Sequence, residues 1–263
     1  MSRLITCSIL HNRSDAMGRV FITGDTHGQF HRLKNFCNQV DTSTEDIMII
    51  LGDVGLNYYL NQLDEQGKKY LSKLPLTFLC LHGNHEERAW KVDTYNPQFI
   101  ITDTFSGTVW VEDKYPNIWF LNDIAEFKLH DSTVLAISGA YSIDKQWRLA
   151  NKANWFESEQ IDPDVMKVYL NDLDALKIKP EWDYVLSHTC PFDYMPTEAF
   201  PPNIDQADVD NRTEHFLEEV RKRIFYNEWY CGHFHINKFG RFENGEYGNK
   251  IRFLYDDIIE LDC

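Results

Sequence analysis

Five short apolar runs in this chain each lead into Asp, Asn or His, in most cases beside a glycine. Runs of this length, rich in β-branched and aromatic residues and closed by turn residues, are typical of buried strands. The polar ends that follow them are G-D-T-H-G (24–28), G-D (52–53), G-N-H-E (83–86), His188 and G-H-F-H (232–235). Ligands of open α/β sheets bind beyond the carboxyl ends of the strands. The sequence therefore predicts that these five ends meet in one crevice.

Strand-like and helix-like segments alternate in the part of the chain that follows Arg19. Strands are predicted at 19–23, 46–51 and 76–81, and helices at 29–39 and 58–73. That alternation favours βαβ units and a largely parallel sheet. Between 99 and 137 the β-rich pieces T-V-W-V, N-I-W-F-L, A-E-F-K-L and T-V-L-A-I follow one another with only turn residues between them. This second pattern predicts antiparallel strands.

The remaining segments complete a single domain. The pattern predicts an acidic helix at 157–176, a strand at 183–187, a proline-rich loop at 190–211, a helix at 213–225, a strand at 228–231 and a β-rich tail at 239–261. A loop of that length is often functional. We predict one domain over residues 18–263, with two facing sheets and helices outside them. An N-terminal extension at 1–17 precedes it, in front of an alternative start at Met17.

Composition and charge limit the partners and the location of the protein. A formal net charge of −15 argues against an extended nucleic-acid surface, because such a surface needs a basic face. No apolar run approaches the roughly 18–20 residues of a membrane span, and the N-terminus lacks the continuous apolar stretch of a secretory signal. The six cysteines form no C-x-x-C pair, and several, such as Cys80, lie in strand-like runs where buried free thiols are expected. We therefore predict a cytoplasmic protein.

The side chains at the five strand ends form a mixed set of oxygen and nitrogen ligands. They are Asp25, His27, Asp53, Asn84, His188, His233 and His235. Such a set suits divalent transition metals, with Mn first and Fe, Zn or Ni as alternatives. Taken singly, each residue is explained as a turn residue or a hydrogen-bonded histidine, but their joint occurrence at strand ends favours metal binding. Seven side chains are too many for one ion and suffice for two if Asp53 bridges them.

These motifs together resemble those of the calcineurin-like metallophosphoesterases, over residues 19–240. The resemblance implies a four-layer α/β/β/α sandwich of two mixed sheets flanked by helices, with a two-metal centre between the sheets. In that arrangement Asp25, His27 and His235 hold one ion. Asn84, His188 and His233 hold the other, and Asp53 is shared.

The second motif departs from the phosphoprotein phosphatases of this superfamily. Those enzymes carry G-D-x-V-D-R-G, whose arginine binds phosphate, whereas this chain reads G-D-V-G-L-N-Y from Gly52. The segment S-G-A-Y-S-I-D-K-Q-W-R (138–148) resembles bacterial and phage members of the superfamily. Its Lys145 and Arg148 are predicted to bind the substrate phosphate in place of the missing arginine. The alternative is that both are surface charges at the start of a helix.

The resemblance also implies a mechanism, in which a metal-bridging hydroxide attacks phosphorus in line. His85 follows Asn84 directly, and neighbouring side chains in extended backbone point apart. His85 is therefore the predicted general acid for the leaving group. The predicted substrate is a phosphorylated small molecule, a nucleotide or a phosphoprotein, with monoester cleavage favoured. The alternatives are a phosphodiesterase or nuclease acting on nucleotides or short nucleic acid, and a non-catalytic binding platform.

Overall fold

Strands and helices alternate in the first part of the computed structural model, which describes residues 18–202, 204–242 and 249–263. The elements are β1 (Val20–Thr23), α1 (His31–Val40), β2 (Ile47–Ile50), α2 (Gln62–Leu71) and β3 (Thr77–Cys80). Strand β2 pairs in parallel with both β1 and β3. The predicted βαβ units are therefore confirmed, while the proposed extension at 1–17 lies outside the described residues.

The middle of the chain is an antiparallel meander. Its strands are β4 (Asn96–Ile101), β5 (Phe105–Val111), β6 (Ile118–Phe120), β7 (Ile124–Leu129) and β8 (Ser132–Ile137). Strand β5 pairs antiparallel with β4, β6 and β7, and β7 pairs antiparallel with β8. These pairs confirm the prediction for 99–137. Strand β4 was not predicted, and it contains Pro97, which is compatible with a strand at a sheet edge.

The remaining helices and strands complete the fold. They are α3 (Lys145–Asn151), α4 (Pro163–Ala175), β9 (Glu181–Ser187), α5 (Arg212–Arg223), β10 (Phe225–Cys231), β11 (Lys238–Phe242), β12 (Asn249–Phe253) and β13 (Ile258–Glu260). The predicted helix at 157–176 begins later than expected, because Asp162 caps α4 by accepting a hydrogen bond from the backbone N–H of Asp164 at 2.8 Å. Pro163 then takes the first helical position, where its missing N–H costs nothing.

All thirteen strands of the described residues belong to one hydrogen-bonded sheet. Its order is β11-β12-β10-β9-β8-β7-β5-β6-β3-β2-β1-β13, with β4 attached to β5. Parallel pairs, such as β8–β9 and β9–β10, occur beside antiparallel ones. The mixed α/β class is therefore confirmed. The predicted division into two separate sheets is not confirmed, because the hydrogen-bonded path through the strands is continuous.

The sheet curls so that its two halves share an apolar core. One buried cluster contains Ile22 and Ile49 from β1 and β2 together with Ala136, Leu186 and Tyr230 from β8, β9 and β10. A second cluster packs the other face of β1–β3 against α1 and α2, and a third packs β8–β10 against α4 and α5. The curl brings the carboxyl ends of β1, β2, β3, β9 and β10 towards one another, and this arrangement positions the site described below.

The cysteines of the described residues are free thiols, as the sequence predicts. Cys37, Cys80, Cys190 and Cys231 are buried free thiols, and Cys263 is a partly exposed one. Burial raises the pKa of the Cys80 thiol well above its ordinary value, so this cysteine packs as a small apolar residue. None of the helices within the described ranges is long and apolar enough to cross a membrane.

Candidate metal centre

The structure brings all seven predicted ligands together at the carboxyl ends of five strands. Asp25 and His27 follow β1, Asp53 follows β2, Asn84 follows β3, His188 follows β9, and His233 and His235 follow β10. The three strands β1, β2 and β3 run parallel, as do β9 and β10, so their ends lie at common edges. The curl of the sheet joins these edges into one site.

Asp25, His27 and His235 form the first group of ligand atoms. The Nε2 atoms of His27 and His235 are 2.9 Å apart, and they lie 3.7 and 3.2 Å from Oδ2 of Asp25. Asp25 is 2% exposed, and its Oδ2 has no well-oriented hydrogen-bond donor among the described residues. A buried carboxylate oxygen facing two imidazole nitrogens is the donor set that a divalent cation needs.

Asn84, His188 and His233 form the second group. Oδ1 of Asn84 lies 2.8 Å from Nε2 of His188 and 3.2 Å from Nδ1 of His233. In the neutral imidazole, which is the metal-binding form, Nδ1 of His188 donates to the backbone carbonyl of Leu51 at 2.7 Å and leaves Nε2 as an acceptor. The amide nitrogen of Asn84 lies 2.9 Å from Oγ of Ser142, which turns Oδ1 towards His188. Two acceptor atoms therefore face each other at hydrogen-bond distance, and a cation between them satisfies both.

Asp53 lies between the two groups. Its Oδ1 is 3.7 Å from Nε2 of His188, and its Oδ2 is 3.9 Å from Nε2 of His27. The backbone N–H of His85 donates to Oδ1 at 2.8 Å and fixes the carboxylate. Burial opposes ionisation of Asp53, but the nearby charges of His85, His188 and His27 outweigh it and bring the pKa of the carboxyl below its usual range. The ionised form is the one that binds metal.

The histidines after β10 have different electrostatic surroundings. Burial lowers the pKa of His233 to about 3, and the charge of His188 acts in the same direction. The carboxylate of Asp25, whose Oδ2 lies 3.2 Å from Nε2 of His235, raises the pKa of His235. A neutral imidazole is the metal-binding form, so burial prepares His233 for that role without any change in protonation.

Four of these seven side chains come from residues in the left-handed backbone region. The φ angles are 45° at His27, 46° at Asp53, 67° at His233 and 52° at His235. This conformation is uncommon for residues other than glycine, and each instance costs about 1–3 kcal/mol. The tight turns let side chains that follow a strand point back over the sheet edge. The rest of the fold must stabilise them there.

Glycines next to the ligands allow the loops to approach closely. A Cβ atom at Gly83 would overlap with Oδ1 and the backbone N of Asp53, and one at Gly232 would overlap with Oδ1 of Asp25. A Cβ at Gly52 would overlap with Nδ1 of His188. Each of these glycines therefore makes room for a ligand that comes from a different loop.

Replacing Gly83 with Ala is expected to displace Asp53, because the nearest obstacle includes backbone as well as side-chain atoms. A shift of about 1 Å at a reacting centre costs on the order of 10²-fold in rate, and we expect that loss here. Metal content and turnover of the purified variant measure it. The matched control for metal content is Gly67→Ala in α2, where the nearest atom is the flexible end of Leu56 and the helix gains propensity. Equal metal content in the two variants would contradict this role of Gly83.

Arg88 is a buried residue that supports the loop after β3, and the sequence did not predict this role. The residue is 1% exposed, and its guanidinium donates to the carbonyl of Gly83 at 2.8 Å and to that of Glu159 at 3.2 Å. Its Nε lies 2.8 Å from Oδ1 of Asp123. His82 is also buried and accepts a hydrogen bond from the N–H of Ala89 at 2.9 Å.

His85 lies beside Asp53 and outside the second ligand group, to which its neighbour Asn84 belongs. Its Nε2 lies 3.8 Å from Oδ2 of Asp53, and its side chain is 23% exposed. Its ring centre lies 5.6 Å from that of His27. Burial lowers the pKa of His85 below its ordinary value, although the charge of Asp53 acts in the opposite direction. The imidazole is thus held beside the metal-ligand groups and remains open to a substrate.

The two predicted phosphate-binding residues have different positions. Arg148 faces the same cavity as His85, and its Nη1 donates to Oη of Tyr58 at 2.9 Å. Its Nε forms an ion pair with Asp144 at 2.8 Å. Lys145 does not line this cavity, because its Nζ lies over the ring of Trp155, 4.3 Å from the ring centre. Phosphate binding by either residue stays a prediction, and the geometry favours Arg148.

Two cavities adjoin the site. The first, called here the aromatic cavity, has a volume of about 740 Å³ and is bounded by His27, His85, Arg148 and His235 together with the rings of Phe30, Tyr58, Tyr59 and Tyr70. The second, called the loop cavity, has a volume of about 440 Å³ and is bounded by Asn84, His85, His233 and His235 together with Met195, Phe200, Val209 and Phe234. His85 and His235 line both cavities.

Comparison with solved structures gives matches at low sequence identity. The protein TT1561 of Thermus thermophilus superimposes with a TM-score of 0.50 at 12% identity, covering 94% of this chain and 99% of that protein. The phosphopantetheinyl hydrolase PptH from Mycobacterium tuberculosis has a TM-score of 0.43 at 11% identity, covering 91% of this chain and 90% of that protein. The curated proteins compared with this sequence gave no match.

A family model provides the assignment that these low identities do not. The model for the calcineurin-like phosphoesterases matches residues 18–237, which include every strand end described above. The match covers most of the chain and agrees with the motifs identified in the sequence. The chain therefore belongs to the calcineurin-like phosphoesterase family.

Proposed function

We propose that the protein is a two-metal phosphoesterase that hydrolyses phosphate esters. The observation that supports this most strongly is the pair of acceptors formed by Oδ1 of Asn84 and Nε2 of His188, which are 2.8 Å apart in a buried site. In the proposal one ion is held by Asp25, His27 and His235, the other by Asn84, His188 and His233, with Asp53 shared between them. Mn²⁺ is the proposed metal.

The protein side chains position the substrate and supply a proton. When bound, the ions neutralise phosphoryl oxygens and lower the pKa of water. His85 holds a proton at Nε2 for the departing ester oxygen, since this residue lines both cavities in which an ester group can lie. Arg148 donates N–H groups to a phosphoryl oxygen from the wall of the aromatic cavity.

Two finer statements belong to the same proposal. We describe the curled sheet and its flanking helices as a four-layer α/β/β/α sandwich, on the evidence of the three apolar clusters. We also propose a cytoplasmic location, since the five cysteines of the described residues are free thiols. The negative net charge further favours small phosphate esters over long nucleic acids as substrates.

The proposal is tested by removing and restoring the metals. The protein is stripped with a chelator, reloaded separately with Mn²⁺, Fe²⁺, Zn²⁺ and Ni²⁺, and assayed on p-nitrophenyl phosphate and bis(p-nitrophenyl) phosphate. We expect no turnover by the stripped protein, restored turnover of at least one substrate with Mn²⁺, and two metal ions per chain by elemental analysis. A reloaded protein that binds metal but hydrolyses neither ester would support the binding platform instead.

A further inference from the structure

The two cavities meet at the metal centre and border different ligands. The aromatic cavity is bounded by His27 of the first ligand group, and the loop cavity by Asn84 and His233 of the second. His85 and His235 are common to both. A phosphoryl group bound between the two ligand groups therefore adjoins both cavities.

The aromatic cavity has the chemistry of a site for a planar ring. The rings of Phe30 and Tyr70 are nearly parallel, inclined at 26° with centres 6.2 Å apart, and those of Tyr58 and Tyr59 meet edge to face at 4.8 Å. The described residues that line this cavity include one arginine, Arg148, and several histidines, and they include no carboxylate. A volume of about 740 Å³ is sufficient for a group as large as a nucleoside.

The loop cavity has an apolar wall that suits a smaller apolar or aromatic group. Met195, Phe200, Val209 and Phe234 form this wall, and the polar part of the lining includes Asp144 and Glu214. Met195, Phe200 and Val209 belong to the proline-rich segment and take no part in the metal centre. Phe200 of this segment stacks on Phe234 with an interplanar angle of 20° and centres 6.3 Å apart. Phe234 lies between His233 and His235 in sequence, so the loop packs directly over the ligand-bearing turn.

We infer that the physiological substrate is a phosphodiester with two organic groups, a planar aromatic group in the aromatic cavity and an apolar or aromatic group in the loop cavity. This rests on the proposed phosphoesterase function and replaces the preference for monoesters drawn from the sequence. A monoester occupies one cavity and leaves the second, with its stacked phenylalanines, unused.

The reaction is a hydrolysis that needs no further reactant. A water oxygen forms a bond to phosphorus, and the bond from phosphorus to one ester oxygen breaks. That oxygen leaves as an alcohol with the proton from His85. One proton of the water stays on the new P–OH group, the other passes to solvent, and His85 regains a proton from solvent. The products are the alcohol and a phosphate monoester.

The test compares kcat/KM for bis(p-nitrophenyl) phosphate and p-nitrophenyl phosphate with the Mn²⁺-loaded protein. We expect the diester to be preferred by at least about tenfold. Phe200→Ala, which removes one wall of the loop cavity, is expected to lower that diester-to-monoester ratio about tenfold, mainly through KM. Phe99→Ala is the matched control, because Phe99 is 68% exposed on β4 and lines neither cavity; it is expected to keep the wild-type ratio.

A binding measurement separates recognition from chemistry. With Mn²⁺-loaded His85→Asn protein, bis(p-nitrophenyl) phosphate is expected to raise the melting temperature more than p-nitrophenyl phosphate does, and Phe200→Ala is expected to remove that difference. Metal-dependent turnover of the monoester with a lower rate for the diester would overturn this inference and leave the proposed function intact. Failure to hydrolyse either ester would overturn both. An equal loss for both esters in Phe200→Ala would also overturn the two-cavity assignment.

Discussion

Replacing Asp53 with Asn is expected to cause the largest loss of metal binding of any single substitution in this protein. The carboxylate lies between both ligand groups, within 3.7 Å of His188 and 3.9 Å of His27. Loss of a group that only orients a ligand already costs about 10–100-fold in metal affinity or activity. We therefore expect Asp53→Asn to weaken metal binding by more than about 10²-fold and to lower turnover at least as much. Elemental analysis and metal titration of turnover measure the two effects.

Asp46→Asn is the matched control for this experiment. Asp46 is buried immediately before β2, whereas Asp53 follows the opposite end of the same strand. Its carboxylate pairs with Arg19 at 2.7 Å, so the same substitution there removes a structural ion pair. Asp46→Asn is expected to lower the melting temperature and to keep both metals. Full metal content and activity in Asp53→Asn would show that the bridging assignment is wrong.

Replacing His85 with Ala is expected to remove the general acid while the metals remain bound. Nε2 of the imidazole lies 3.8 Å from Oδ2 of Asp53, and His85 belongs to neither ligand group. General acid catalysis contributes about 10²–10⁴-fold, so we expect kcat to fall within that range. The loss should be larger for an alkyl ester than for a p-nitrophenyl ester, because an alkoxide needs a proton to leave and p-nitrophenolate does not. Rates for the two esters and the metal content provide the measurement.

His215→Ala provides the matched control for a histidine substitution. His215 is exposed on α5 and stacks on Phe192 with ring centres 4.0 Å apart, and it lines neither cavity at the metal centre. We expect wild-type rates from this variant on both esters. If His85→Ala loses its metals, or slows both esters by the same factor, then His85 acts in metal binding or positioning and is not the proton donor.

The positions of the ligand side chains could be anticipated from the sequence because the signal is local. An apolar run followed by Gly52 and Asp53, or by Gly83 and Asn84, specifies both the strand and the turn that ends it. Parallel pairing then brings the turns to one edge. The structure agrees with this reasoning for all seven residues, although their metal-binding roles stay predictions.

Other features depend on contacts between distant segments and have no local signal. The segment at 58–61 looked helical, but Asp64 accepts hydrogen bonds from the N–H groups of Tyr59 and Leu60, at 3.1 and 2.6 Å, and α2 starts only at Gln62. Tyr58 and Tyr59 therefore lie outside the helix and form part of the wall of the aromatic cavity. Arg88 could not be recognised as buried, since its partners at Asp123 and Glu159 lie far along the chain.

The three glycines at the metal centre also bear on how such a site can evolve. At each position a Cβ atom would overlap with a side chain from another segment. The pairs are Gly83 and Asp53, Gly52 and His188, and Gly232 and Asp25. A mutation at any of these positions is therefore selected against for its effect on a residue elsewhere in the chain. The outer parts of the loops can vary in length and surface sequence, but their innermost turns can change only together. Substrate preference can thus drift at the cavity walls while the metal-binding turns are inherited as one unit.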